Sequence, residues 1–186
     1  MPFSGPQWVS KFPSSKSTDD LVEPFRTNAK NFLSALQAAG ASVIVDDTFR
    51  PSERAYLMHF AFEIANKGLS PATVPAKQGV DIQWVHLNAQ GLPDLVASKA
   101  AAQQMVQGFG IVFEPVLVSR HTQKLAVDMT ITWQGDLTIA QGDSSLTTIT
   151  SLPRTGAGNT DLHKVGESYG VLKLVKDHPH WSSDGH

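Results

Sequence analysis

The chain has 186 residues, of which 41% are hydrophobic and 17% charged, and these proportions are typical of a soluble globular protein with one substantial core. Its formal net charge of −2 gives no electrostatic basis for binding nucleic acid. Because the chain has no cysteine, disulfides, thiolate metal sites and a cysteine nucleophile are all excluded. Any metal would have to be bound by histidine and carboxylate side chains.

The amino-terminal segment differs in composition from the rest of the chain. Residues 1–16 contain three prolines and show no hydrophobic period, so we predict an arm over 1–16 and one domain over 17–186. The first residues lack the basic start and apolar run of a secretory signal. No stretch approaches the ~20 apolar residues that a membrane-spanning helix needs.

Apolar residues at helical spacing predict four helices. The first is expected to follow an N-cap at Ser17 or Thr18 and to end at Gly40, and Pro51 suits the first turn of the second. The four predicted helices lie at about 17–39, 51–66, 93–107 and 161–168.

Strands are predicted mainly in the second half of the chain, and 136–140 is expected to form a hairpin with the strand before it through a turn at Gln134-Gly135. The polar segment 141–160 is predicted to be a long loop. Helices early in the chain and antiparallel strands late predict an α+β fold. The predicted strands lie at 42–45, 116–119, 126–133, 136–140 and 169–175, and 80–87 is expected to be a strand or irregular structure.

Two segments carry a set of candidate metal ligands: SRHTQKLAVD at 119 to 128 and DHPHW at 177 to 181. A hydrolytic zinc ion needs three protein ligands and one open position for water. His121, Asp128 and His180 provide such a set for one zinc ion, which would make hydroxide available near neutral pH.

The spacing of the first two ligands has a structural consequence. His121 and Asp128 are seven residues apart, and an odd step on a straight strand points two side chains to opposite faces. If both bind one ion, the chain must bend between them. We predict that bend at about Thr122 to Leu125.

Two further side chains are candidates for the chemistry beside the metal. Pro179 favours a turn that would bring Asp177 next to the ion, where a carboxylate could take a proton and return it. Arg50 falls at a predicted strand-to-helix junction, and its guanidinium could hold a substrate carbonyl oxygen or carboxylate.

Three segments together resemble the zinc peptidases that cut peptidoglycan stem peptides, a family of D-Ala-D-Ala carboxypeptidases and dipeptidases and L-Ala-D-Glu endopeptidases. The shared pattern is an arginine after a strand, then S-x-H-x6-D, then an acid three residues before a final histidine. The segments are TFRPSERAYL at 48 to 57, SRHTQKLAVD at 119 to 128 and KDHPHW at 176 to 181.

The resemblance implies an α+β fold with a central antiparallel sheet, shared with the amino-terminal signalling domain of Hedgehog proteins. It assigns one zinc ion to the three ligands named above, and the catalytic acid/base to Asp177. It makes Arg50 the residue that binds and polarises the substrate, and Ser119 the serine beside the first ligand. Asp177 followed by His-Pro-His is more similar to the endopeptidase branch, so the implied activity is hydrolysis of the L-Ala-D-Glu bond. The alternatives are a D-Ala-D-Ala carboxypeptidase and a non-catalytic wall-binding module of the same fold.

One position departs from the family pattern. The family often has glycine three residues after the first histidine, and this chain has Lys124 there. If the position needs a positive φ, lysine costs on the order of 1 kcal/mol. The loop between the first two ligands is therefore expected to differ locally from that of the family.

Other interpretations of the same residues stay open on the sequence. His121 and Asp128 could form a structural pair, His178 could replace His180 as a ligand, and Asp177 could be a solvated turn acid. Arg50 could instead form a salt bridge with an acid among Asp46, Asp47 and Glu53. The implied substrate lies outside the inner membrane although no signal is visible, which fits a released phage lysin, an injected effector or a cytoplasmic recycling enzyme. The oligomeric state is not indicated.

Overall fold

A computed structural model describes residues 1–186, and the chain in it divides into two compact units. The first unit contains residues 1–13 and 51–119, and the second contains 14–50 and 120–186. The class is α+β, as predicted, with four α-helices and an antiparallel sheet of four strands. None of the helices combines the length and the apolar character that crossing a membrane requires.

The first unit is built around two helices, α2 (Ser52–Phe62) and α3 (Leu95–Phe109). A turn of π-helix extends α2 to Lys67, and the predicted stop follows because Gly68 adopts φ 75°. Asp94 caps α3 by accepting a hydrogen bond from the main-chain N–H of Ala97 at 2.9 Å. Two short strands, β2 (His86–Leu87) and β3 (Pro93–Asp94), pair with each other.

Residues 1–13 of the predicted arm belong to this first unit. Phe3 forms a parallel bridge with Gln83, and Trp8 is buried in the core of the unit together with side chains of α2 and α3. Between residues 80 and 87 only β2 is a regular strand, and the rest is irregular, which is the second of the two alternatives expected there. The predicted division of the chain into an arm and one domain stays a prediction.

The second unit contains the four-stranded sheet, in the order β1-β4-β8-β7 with all neighbours antiparallel. Helices α1 (Phe25–Ala38) and α4 (Thr160–Ser168) supply apolar side chains to the core beneath the sheet. A separate hairpin, β5–β6, completes the unit. The strands are β1 (Ser42–Asp47), β4 (Ala126–Thr132), β5 (Leu137–Ala140), β6 (Leu146–Ile149), β7 (Leu172–Lys173) and β8 (His180–Ser182).

Several predicted boundaries in the second unit are corrected. Ser17 does cap a helical turn, but that turn is a three-residue 3-10 helix, and α1 begins only at Phe25. Pro24 explains the late start, because proline inside a helix removes a hydrogen bond and clashes with the carbonyl four residues earlier. The hairpin partner of β5 is β6, which lies inside the predicted loop, and not β4. The strand predicted at 116–119 does not form.

The sheet has one buried and one open face, and β4 shows the alternation most clearly. Val127, Met129 and Ile131 are at most 2% exposed and face the core, whereas Asp128, Thr130 and Thr132 point to the other side. The open face therefore presents polar side chains.

Trp181 fixes β8 against the core. It is fully buried and its ring packs against Phe32, with 5.4 Å between the ring centroids. Gly166 allows this approach, since a Cβ there would lie 2.6 Å from the Trp181 ring and 2.7 Å from the carbonyl oxygen of Val171. With Trp181 directed inward, its neighbour His180 is directed to the open face.

Candidate metal centre

The structure brings the three predicted ligands together. His121 Nε2 lies 3.1 Å from Asp128 Oδ1 and 3.1 Å from His180 Nδ1, and the last two atoms are 3.0 Å apart. Both histidines are buried, with 4% and 6% of their surface exposed. This buried group could hold a metal ion.

The strand register explains how Asp128 and His180 meet. They are opposite each other in the antiparallel pair of β4 and β8. The main-chain N–H of Met129 donates to the Pro179 carbonyl at 2.8 Å, so the odd-numbered residues of β4 make the ladder bonds on this side. Asp128 and His180 therefore form a non-hydrogen-bonded pair, the type in which facing side chains are closest.

The predicted bend delivers the third ligand. Residues 120–124 form turns, and the N–H of Leu125 donates to the Arg120 carbonyl at 2.8 Å. Lys124 has φ 63°, the left-handed conformation that favours glycine. His121 consequently lies in a turn before β4 and approaches Asp128 from the end of the strand. The bend predicted from the odd spacing is confirmed.

Main-chain carbonyls set the tautomer of both histidines. His121 Nδ1 lies 3.1 Å from the Thr48 carbonyl oxygen, and His180 Nε2 lies 3.1 Å from a main-chain oxygen of His186. A carbonyl only accepts, so each of these ring nitrogens carries the proton. In the neutral rings the other nitrogens, His121 Nε2 and His180 Nδ1, then point lone pairs at the Asp128 oxygen.

Three acceptor atoms about 3 Å apart repel one another unless a cation or a proton lies between them. Hydrogen bonding of the outer ring nitrogen to a carbonyl is the usual support of a metal-binding histidine. Thr48 is itself fixed, because it is fully buried and its hydroxyl donates to the carbonyls of Ser15 and Ser17 at 3.0 Å. The donor set and its supports fit a bound cation.

The pKa values of His121 and Asp128 are shifted because these side chains lie close together. Burial disfavours the charged form of His121, but the hydrogen bond and charge of Asp128 outweigh it and raise the pKa of His121 above its ordinary value. Burial alone would raise the pKa of Asp128, yet the hydrogen bonds and charges that His121 and His180 provide when their rings are protonated hold it far below its usual range. Asp128 is therefore an ionised carboxylate at neutral pH.

Asp177 lies in the predicted turn before His180. The His180 N–H donates to the Asp177 carbonyl at 3.1 Å, which closes the turn that contains Pro179. The Asp177 carboxylate is exposed and makes no hydrogen bond or ion pair with the protein. The neighbouring His178 is exposed and outside the ligand group, so His180 and not His178 completes the triad.

Arg50 is close to the triad through its main chain and is paired through its side chain. Its N–H donates to the His121 carbonyl at 3.3 Å, and its Nη2 lies 3.0 Å from Asp47 Oδ2. Of the acids considered as partners for Arg50, Asp47 forms the ion pair. Ser119 belongs to the first unit, whereas the ligands belong to the second, and its role stays a prediction.

Asp47 itself was considered only as a partner of Arg50, and a β-bulge gives it a larger role. The register of β1 with β4 shifts between Val45 and Asp47, so that Asp47 comes opposite Asp128. Bulges re-aim side chains in this way. One oxygen of Asp47 binds Arg50, and the other, Oδ1, is buried without a partner. Its negative charge helps to raise the pKa of His121.

Comparison with known proteins adds no assignment to this geometry. No protein-family model matches the chain, and no curated protein matches it in sequence.

Proposed function

We propose that this protein is a zinc-dependent peptidase that hydrolyses peptidoglycan stem peptides as an L-Ala-D-Glu endopeptidase. The observation that carries the proposal is the convergence of two imidazole lone pairs and one carboxylate oxygen on the open face of the sheet. The order of Arg50, the ligands and Asp177 along the chain, which resembles that of the stem-peptide peptidases, supplies the substrate class.

Two nitrogen donors and one carboxylate oxygen suit zinc better than calcium or magnesium, which prefer all-oxygen sites. Tetrahedral zinc with ligands at about 2.0–2.1 Å separates the ligand atoms by about 3.3 Å. The separations of 3.0–3.1 Å among the three ligand atoms are close to that value. When bound, zinc would act as a Lewis acid that lowers the pKa of water and polarises the scissile carbonyl.

Asp177 is the proposed general base and acid. It would accept a proton as water attacks the scissile carbonyl and then donate that proton to the leaving amine. An exposed carboxylate without a partner in the protein, in the turn that delivers His180, is suited to this exchange.

Arg50 is the proposed group that binds the substrate and stabilises developing negative charge. Its ion pair with Asp47 uses one nitrogen of the guanidinium and fixes its orientation. The remaining N–H groups would then bind a substrate carbonyl oxygen or carboxylate. Ser119 is proposed to assist in substrate binding.

The proposal is tested by digesting purified peptidoglycan with the zinc-loaded protein and identifying the fragments by mass spectrometry. We expect cleavage between L-Ala and D-Glu, and a loss of about 100- to 10,000-fold in rate for Asp177→Asn with zinc content unchanged. Asp20→Asn, which changes another exposed acid, should keep full activity.

Each other result identifies a different function. Release of D-Ala alone would make the protein a carboxypeptidase. Binding to peptidoglycan without any fragment in the presence of zinc would make it a non-catalytic module. Full activity of Asp177→Asn would remove Asp177 from the mechanism.

A further inference from the structure

The edge of β4 beyond Asp128 is bordered by two different segments of the chain. On the Asp128 side, β8 ends and Pro179 accepts the hydrogen bond from Met129. Farther along, the N–H of Gly156 donates to the Ile131 carbonyl at 2.8 Å. A gap one residue long is left between these two partners, beside Thr130.

Two main-chain groups of β4 face this gap without a partner in the protein. The N–H and C=O of one strand residue point to the same side of the strand. The Met129 carbonyl therefore points to the side on which the Met129 N–H is bonded to Pro179. The Ile131 N–H likewise points to the side on which the Ile131 carbonyl is bonded to Gly156. Pro179 has no N–H to return to the Met129 carbonyl. The Gly156 carbonyl accepts from His163 Nε2 at 2.9 Å and makes no hydrogen bond with the Ile131 N–H.

The gap opens into a cavity of about 500 Å³ next to the candidate metal centre. Asp128 and Thr132 of β4 line the cavity, and Ala157 lines it from outside the strand. The side chains of Met129 and Ile131 are in the core, so their main chain contributes to the cavity wall. A polar main-chain group that faces such a space requires water or a ligand as its partner.

We propose that this gap is a peptide-binding subsite, in which one extended substrate residue donates its N–H to the Met129 carbonyl and accepts a hydrogen bond from the Ile131 N–H. The carbonyl of one strand residue and the N–H two positions later are the pair that a neighbouring strand uses. Main-chain hydrogen bonds between an extended peptide and unpaired groups of a strand are a general mode of peptide recognition, and here the gap admits one residue of the peptide. The proposal deepens the proposed peptidase function and rests on it for the identity of the peptide.

A first experiment follows the Ile131 amide by NMR in the zinc-loaded Asp177→Asn protein, which should bind the probe without cleaving it during the measurement. The probe is a synthetic peptide that contains an L-Ala-D-Glu bond and ends in D-Ala-D-Ala. We expect a downfield shift of the Ile131 N–H and hydrogen exchange slowed at least about tenfold on binding. The Trp133 N–H, which already donates to the Arg154 carbonyl at 3.3 Å, should not change. Binding seen at other amides with Ile131 unchanged would overturn the subsite.

A second experiment alters the two partners separately. N-methylation of the peptide, one residue at a time, should weaken binding at least about tenfold at the position that donates to Met129. On the protein, Ala157→Phe should fill the cavity and weaken binding to a similar extent, whereas Ala157→Ser should bind as the native protein does. Zinc content and NMR dispersion establish that Ala157→Phe is folded. Equal binding by every N-methylated peptide would also overturn the proposal.

The two proposals fail in distinguishable ways. If Ile131 responds to the peptide but nothing is cleaved, the subsite stands and the peptidase function is wrong. If the peptide is cleaved while Ile131 is silent and all N-methylated peptides react alike, the peptidase function stands and the subsite is wrong.

Discussion

His121 and His180 each enter the candidate metal centre from a short irregular segment, but the two segments are stabilised differently. The turn at 120–124 is closed by its own main chain, with bonds from Lys124 to His121 and from Leu125 to Arg120. The loop at 174–179 also has main-chain bonds, from Leu174 to His180, from Asp177 to Leu174 and from His180 to Asp177, and in addition it is held by one side chain outside it. Lys173 Nζ donates to the carbonyls of Leu174, Asp177 and His180. The loop before His180 therefore has a support that the turn of His121 lacks, a single ammonium group that donates to three of its carbonyls.

The side chain of Lys173 is half-buried. Burial lowers its pKa, while the charges of Asp177 and Asp128 act in the opposite direction. Its ammonium also lies 5.7 Å from the centroid of the Trp181 ring. The three carbonyls belong to Leu174, Asp177 and His180. Lys173, which is in β7, therefore helps to hold Asp177 and His180 in position relative to that strand.

The largest effect is expected from removing what the two segments share, the ligands themselves. His121→Ala and His180→Ala should each lower zinc affinity by more than the roughly 10–100-fold typical of losing a hydrogen-bond partner of a ligand. Titration with a competing chelator measures that affinity, and elemental analysis measures the zinc retained. His178→Ala, which changes the exposed neighbour outside the triad, should retain the ion. Equal zinc loss in His178→Ala would show that the wrong histidine has been assigned.

Removing the support of only one of the two segments should have an intermediate effect on zinc affinity. Lys173→Met keeps the length of the side chain but removes all three hydrogen bonds to the loop. We expect zinc affinity to fall about tenfold, because the loop that positions His180 keeps its main-chain bonds but loses all three bonds from the ammonium group. The matched control is Lys176→Met in the exposed part of the same loop. If both variants bind zinc as the native protein does, the ammonium is not what positions the loop.

That His121, Asp128 and His180 come together could be predicted from the sequence, because the segments that carry them obey local rules. The odd step from His121 to Asp128 required a bend, and Pro179 required a turn, and both are present. α1 was predicted too early because the apolar stripe continues through Pro24, which breaks a helix whatever the pattern around it.

The supports of the site could not be predicted in the same way. The roles of Asp47 and Lys173 depend on a bulge and on the path of a loop, and neither produces a hydrophobic period. The carbonyls of Thr48 and His186, which set the histidine tautomers, belong to the main chain, where residue type gives no signal. The sequence allowed three possible ion pairs for Arg50, and the pair with Asp47 was one of them.

The smallest effect should come from the backbone of the first turn, at Lys124. Its positive φ costs about 1–2 kcal/mol, which glycine would relieve. Glycine would also lower the free energy of unfolding by about 0.4–1 kcal/mol, because the unfolded chain would have more conformational freedom. It would further lose the contact of Lys124 Nζ with the Phe49 ring, 4.5 Å from its centroid, worth about 0.5–1 kcal/mol at an exposed site.

These contributions nearly cancel, so Lys124→Gly should unfold in urea within about 0.5 kcal/mol of the native protein. Lys124→Ala loses the ring contact but keeps the positive φ, and should be less stable than native by about 0.5–1 kcal/mol. The difference between the two variants then measures the backbone strain without the ring contact. Equal stability of Lys124→Gly and Lys124→Ala would mean that the turn carries no strain. In that case the lysine would be retained for its contact with Phe49 alone.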